Sequence, residues 1–134
     1  MNVADKRGFF GAIARHLRPG AGFACFEVCR TGAEEPPLPL PWSLDGTDSF
    51  LATPEELHTT IASCGFDGVE WVDETEWVRS WFAGAGARGM VDATTSPVTL
   101  PALLVDGPTR LVNYAVAIMD GVVGVYRGSF TRCG

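Results

Sequence analysis

Met1-Asn-Val-Ala-Asp-Lys6 runs directly into an amphipathic stretch that stops at Arg18-Pro19-Gly20, and a nearly continuous apolar run, Phe23-Ala-Cys-Phe-Glu-Val-Cys29, follows at once. A helix feeding a short apolar strand is the repeating half-step of an α/β layer, which such a domain normally reaches midway, so the chain reads as starting inside one. The spacing of Phe9, Phe10, Ile13, Ala14 and Leu17 predicts a helix over about Val3 to Leu17 with one buried face, leaving Lys6, Arg7, Arg15 and Arg18 to solvent. The Phe23–Cys29 run predicts a strand covered on both faces, as in a parallel sheet, with Glu27 as its one interruption.

The same alternation continues. From Arg30 to Leu51 lies a loop rich in proline and acid, in which Leu38, Leu40 and Trp42 argue that part of it packs. Thr53-Pro-Glu-Glu56 is a helix start, because the Thr53 hydroxyl can accept from the Glu56 amide while Glu56 reaches back and Pro54 suits the first turn. That helix buries Leu57, Ile61 and Cys64, ends at Gly65 and leads to a strand over Phe66–Val72. Thr75–Phe82 reads as a helix with Trp77 and Trp81 one turn apart. A last helix enters through Asp106-Gly107-Pro108 with Leu111, Val112, Ala115, Ile118 and Met119 on one side, and Asp120-Gly121 turns into a final strand, Val122–Phe130. The stretch from Ala83 to Gly107 carries no clear period.

At 134 residues with 46% hydrophobic content, one core and a single domain over 1–134 are expected. The net charge of -6 and the lack of a basic cluster argue against nucleic acid as a partner, no segment reaches membrane-spanning length, and no secretory signal opens the chain, so a soluble cytoplasmic protein is expected. Cys25 and Cys29 on one strand would lie roughly 13 Å apart, beyond disulfide reach. A zinc site from Cys25, Cys29, His16 and His58 lacks paired close spacing, so no metal is expected and the cysteines read as reduced.

Four stretches together resemble the C-terminal half of a class I S-adenosylmethionine-dependent methyltransferase, of the small-molecule type related to ubiquinone-biosynthesis and sarcosine methyltransferases. They are Met1–Lys6, Ile13-Ala-Arg-His-Leu-Arg-Pro-Gly20, Pro41-Trp42 through Ser49-Phe-Leu-Ala-Thr-Pro-Glu-Glu-Leu57, and Cys64-Gly-Phe66. The resemblance implies a partial Rossmann-like fold: a three-stranded mixed sheet (about 23–29, 66–72 and 122–130) with flanking helices, the last strand inserted antiparallel between the other two. It also implies that the glycine-rich turn and the acidic residue with which the family holds S-adenosylmethionine would precede Met1, so the N-terminal cofactor-binding half is absent. Where the family usually reads Arg-Pro-Gly-Gly, this chain has Arg18-Pro-Gly-Ala-Gly22, a change that Gly22 can absorb.

Gly84-Ala-Gly-Ala-Arg-Gly89 formally spells a dinucleotide-binding fingerprint, with Asp106 beyond it, but a helix precedes it where the motif needs a strand. A loop after a helix end is the favoured reading. Glu27, toward the carboxyl end of the first strand, is the candidate to orient or deprotonate a methyl acceptor, against the plainer role of a strand-end acid. By resemblance, Asn2 is the candidate cofactor contact, and Trp42 and Phe50 the candidate walls of the acceptor site. His16 and His58 read as surface residues, and Trp71, Trp77 and Trp81 as core or interface. Two functions follow. One is part of a methyltransferase for a small-molecule acceptor, inactive alone; the other is a non-catalytic interaction or regulatory module that pairs with itself or with a complementary chain through an open sheet edge. A small-ligand binder using Pro36–Phe50 as a lid is a third.

Overall fold

A computed structural model describes residues 1–86 and 100–134. Its elements are α1 (Lys6–His16), β1 (Gly22–Arg30), α2 (Pro54–Ser63), β2 (Phe66–Asp73), α3 (Thr75–Trp81), a short α4 (Leu100–Leu103), α5 (Gly107–Met119) and β3 (Val123–Arg132). The Asp5 carboxylate accepts the Gly8 amide at 2.8 Å, so α1 begins there and not at Val3. The expected capping box of α2 is complete: Thr53 N–H donates to Glu56 at 2.9 Å and Glu56 N–H to the Thr53 hydroxyl at 3.2 Å. Gly65, at φ +87°, supplies the left-handed residue that ends this helix.

The sheet order is β1-β3-β2, with both neighbours antiparallel to β3. β1 and β2 therefore run parallel to each other on either side of the inserted last strand, the mixed three-stranded sheet that the sequence resemblance implies. Register follows Phe23↔Phe130 to Arg30↔Val123 on one side and Phe66↔Arg132 to Asp73↔Tyr126 on the other, with an irregularity between Gly68 and Glu70. Gly128 lies opposite Trp71, and a Cβ there would meet the Phe130 ring at 2.6 Å and the Trp71 ring at 2.7 Å.

Two apolar clusters form on the sheet. Phe10 and Ala14 of α1 and Leu57 and Ile61 of α2 pack with Cys29, Phe66 and Phe130. Val78 of α3, Phe82, and Ala117 and Ile118 of α5 pack with Val28, Val122, Val123 and Val125. Each of the largest fully buried side chains in them contributes about 1.5–3 kcal/mol by leaving water.

Several expected faces are rotated. β1 is not covered on both sides: its burial alternates, Ala24 and Phe26 are exposed, and only Val28 reaches the cluster beneath α5. Phe9 is exposed while Phe10 and Ala14 carry the contact of α1. In α5 Val112 and Met119 face outward, and Leu111, Ala117 and Ile118 with Arg110 face inward. Trp77 and Trp81 are exposed, because α3 turns Val78, and Phe82 just after it, toward the sheet. Trp71 is half-buried and stacked on Tyr126 at 5.8 Å.

α3 runs into a wide turn, Phe82–Gly86, broken at Gly84 (φ -101°, ψ -115°). The glycine fingerprint thus follows a helix, as the sequence reading holds, and its last three residues lie outside the described residues. Among the described residues no helix is long and apolar enough to cross a membrane.

Candidate functional site

The carboxyl ends of β1 and β2 mark the side of an open α/β sheet where ligands bind. At β1 the chain leaves through Thr31 and Gly32, whose amides donate to Val122 O at 3.0 Å each, and enters the proline-rich loop. α5 holds this loop: Asn113 Nδ2 donates to Pro39 O at 3.0 Å and Arg110 Nη1 to Pro41 O at 3.4 Å, while Trp42 packs edge-on against Tyr114 at 5.4 Å. Leu40 is fully buried, and its backbone pairs with that of Ser43. The expectation that Leu40 and Trp42 anchor part of the loop holds, whereas Leu38 remains exposed.

The first two residues gather the other sequence candidates. The Met1 ammonium lies 2.8 Å from Glu27 Oε2, and Met1 O accepts the Phe50 amide at 3.0 Å. The Asn2 side-chain amide donates to Trp42 O at 2.8 Å and Asp48 O at 3.0 Å. Asn2, Glu27, Trp42 and Phe50, scattered over fifty positions, thus meet at one end of the sheet. Trp42 Nε1 is occupied by the Ser49 hydroxyl at 3.0 Å, so the indole presents a face and not a donor. Phe50 is 38% exposed.

Two residues here escape sequence reading. Lys6, expected in solvent, folds back from the first turn of α1 to donate to Val3 O at 3.0 Å and to Phe50 O, and it joins Glu27, Phe10 and Leu57 around a small cavity. Burial holds its ammonium below the ordinary lysine pKa, while nearby Glu27 acts the other way. No sequence period distinguishes a first-turn lysine that curls inward from one that extends outward. Arg30, the last residue of β1, lines a cavity of about 260 Å³ under the loop with Leu38, Leu40, Phe50 and Leu51. Its signal was available as a cation ending an apolar strand.

The histidines part company. His16 is exposed, its ring Nδ1 2.8 Å from Ala12 O, as expected of a surface residue. His58 is not a free surface residue: it packs edge-on against Trp71 at 5.3 Å and beside Phe130 at 5.8 Å, because α2 lies over β2 at that point. Burial raises the thiol of Cys25 to about 11 and that of Cys29 to about 12, with Glu27 adding to both. The four cysteines are free, and among the described residues no group of three or more His, Cys, Asp or Glu converges on a metal position.

No family model and no curated protein matches the sequence. Solved structures do match. A Galdieria sulphuraria protein assigned as a sarcosine dimethylglycine methyltransferase superposes with a TM-score of 0.70 at 11% identity, over 99% of this chain and 49% of that one. Phosphoethanolamine N-methyltransferase 2 of Haemonchus contortus, solved with phosphomonomethylethanolamine and S-adenosylhomocysteine, gives 0.70 at 16% identity over 98% of this chain and 31% of its own. The fold is that of part of a class I methyltransferase. The chain spans less than half the length of each of these proteins, as the C-terminal half of such a fold would. A (4+2)-cyclase shares the fold too, with a TM-score of 0.55 at 19% identity over 95% of this chain and 45% of its own. A methyltransferase fold therefore does not by itself fix the reaction.

The described residues do not fit S-adenosylmethionine. β1 runs into a loop pinned on Val122, β2 passes through Glu74 straight into α3, and β3 ends at Arg132. No strand among them feeds a glycine-rich turn into a helix.

Proposed function

We propose that residues 1–134 form one domain, the C-terminal, acceptor-side half of an S-adenosylmethionine-dependent methyltransferase for a small organic molecule, inactive alone and working in the cytoplasm. The supporting observation is the topology: a last strand inserted antiparallel between two parallel ones, with β1 an open edge among the described residues, where a cofactor-binding half would continue the sheet. In this reading the half supplies position and proton handling. Trp42 and Phe50 wall the acceptor, Asn2 fixes the first segment against the loop, and the Glu27 carboxylate orients the acceptor or takes its proton. Methyl transfer in line also needs the donor aligned, a task this reading gives to residues outside the described ones.

A calorimetric titration of the folded chain with S-adenosylmethionine, and separately with S-adenosylhomocysteine, tests this. No saturable heat is expected from either. Saturation near one equivalent per chain would overturn the assignment of the cofactor site to another segment.

One observation favours a second reading, an interaction module without catalysis. Phe26 is 54% exposed on an edge strand, and an open apolar edge pairs readily with a second copy or a complementary chain. Light scattering decides it: a dimer that Phe26→Lys converts to monomer supports this reading, and a wild-type monomer counts against self-pairing.

A further inference from the structure

The geometry points to a binding site for an organic carboxylate with an apolar body in the cavity beneath the proline-rich loop, its carboxylate paired with Arg30. This deepens the acceptor-side reading and rests on it for the view that the bound molecule is the acceptor.

Three observations carry it. First, Arg30 lines the cavity and takes part in none of the ion pairs among the described residues, although the chain carries sixteen acids against ten bases. Its backbone is fixed, the amide donating to Ala52 O at 2.9 Å. A guanidinium beside apolar walls that forms no ion pair is a ready fork for a carboxylate.

Second, Asp45 and Asp48 of the loop and Glu27 of β1 are committed elsewhere. Asp45 accepts the Thr47 amide at 3.1 Å and its hydroxyl at 2.7 Å, and those bonds hold its carboxyl below the ordinary range. Asp48 accepts the Ser43 hydroxyl, and Glu27 faces the Met1 ammonium. Glu35, at the rim, is exposed to water and makes no ion pair with Arg30.

Third, the walls are built in advance and await a cover. Asn113 and Arg110 hold the Pro39 and Pro41 carbonyls, and Leu40 is fully buried behind them. Leu38 and Phe50 instead keep 45% and 38% of their surface in contact with solvent around the same cavity. An apolar body seated there would remove that surface from water while its carboxylate met the Arg30 guanidinium.

The test uses the whole chain and no cofactor. Titration with 3-phenylpropionate, its neutral amide and the corresponding amine would be followed by backbone amide shifts in two-dimensional NMR. Saturation by the carboxylate is expected, with the largest shifts at Arg30, Leu38 and Phe50, and about tenfold weaker binding of the amide. Arg30→Gln should lose the same factor, Arg30→Lys should recover part of it, and Arg18→Gln should change nothing. Equal binding of amide, amine and carboxylate, or no saturation at these residues at millimolar probe, overturns the inference. If Arg30→Gln fails to fold, the comparison of carboxylate with amide on the unaltered chain still decides. Because S-adenosylmethionine is absent, failure here is read separately from the outcome of the cofactor titration.

Discussion

At the residue scale, the chain's stability rests on a few contacts whose removal has a defined sign. Thr53 caps α2 through a reciprocal pair of bonds, so Thr53→Ala should cost about 1 kcal/mol in denaturant unfolding, seen as a lower midpoint with an unchanged slope. Gly128→Ala should cost about 1–3 kcal/mol, because the new Cβ would stand within 2.8 Å of the Trp71 and Phe130 rings, which are held between strand and helix. Cys29 gives a pH signature. Burial keeps its thiol protonated in the native state up to about 12, against the ordinary 9.0 of an unfolded thiol. Its contribution is therefore complete below pH 9 and is lost as the pH climbs toward the folded value, since the unfolded state gives up its proton first. Unfolding free energy measured at stepped pH should fall across that window. Alkylation followed by mass spectrometry should leave Cys29 unmodified in the native state at pH 8 and label it in denaturant.

At the element scale, helix and strand order was legible while helix rotation was not. Patterns such as Thr53-Pro-Glu-Glu and the apolar runs 23–29 and 66–72 depend on local chemistry, and the structure places elements at each. Which face of an element turns inward depends on neighbours. α5 is apolar nearly all round, with Val112, Val116 and Met119 as hydrophobic as Leu111 and Ile118, so its period admits two rotations and the sheet selects one. Ile118→Ala should cost about 2–5 kcal/mol, whereas Val112→Ala should stay within about 0.5 kcal/mol, a contrast that thermal or urea unfolding resolves. For Trp77 and Trp81 of α3, read as core or interface, exposure removes the core alternative for the same reason: bulk suggests burial, yet Val78 and Phe82 fill the space. Of the site, Asn2, Trp42 and Phe50 could be named from the sequence resemblance and Glu27 from its place near the end of an apolar strand; Arg30 carried only the weaker signal of a cation ending that strand and Lys6 none, because their roles arise when a loop of more than twenty residues folds back over the end of β1.

At the scale of the whole molecule, the sheet is asymmetric in a way that can be measured. β3 is flanked on both sides and carries Val123 and Val125, fully buried, and Phe130, nearly so, while β1 has a partner on one side only among the described residues. Amides in a central strand open only with the global transition, whereas edge amides that point away from the sheet meet water directly. Hydrogen exchange should therefore find the slowest amides in β3, between Val125 and Phe130, and should split β1 into alternating protected and fast positions. The Val125 amide belongs to the slow class for an added reason, since it donates to the Thr75 hydroxyl at 3.0 Å while Val125 O accepts from Glu74 at 2.8 Å, latching β3 to the start of α3. If the cofactor-binding half belongs at the open edge, supplying it as a separate segment should slow the fast set in β1 and leave β3 unchanged. Uniform protection along β1 in the chain by itself would instead mean that a second copy already covers the edge, and would move the balance from the methyltransferase half to the self-pairing module.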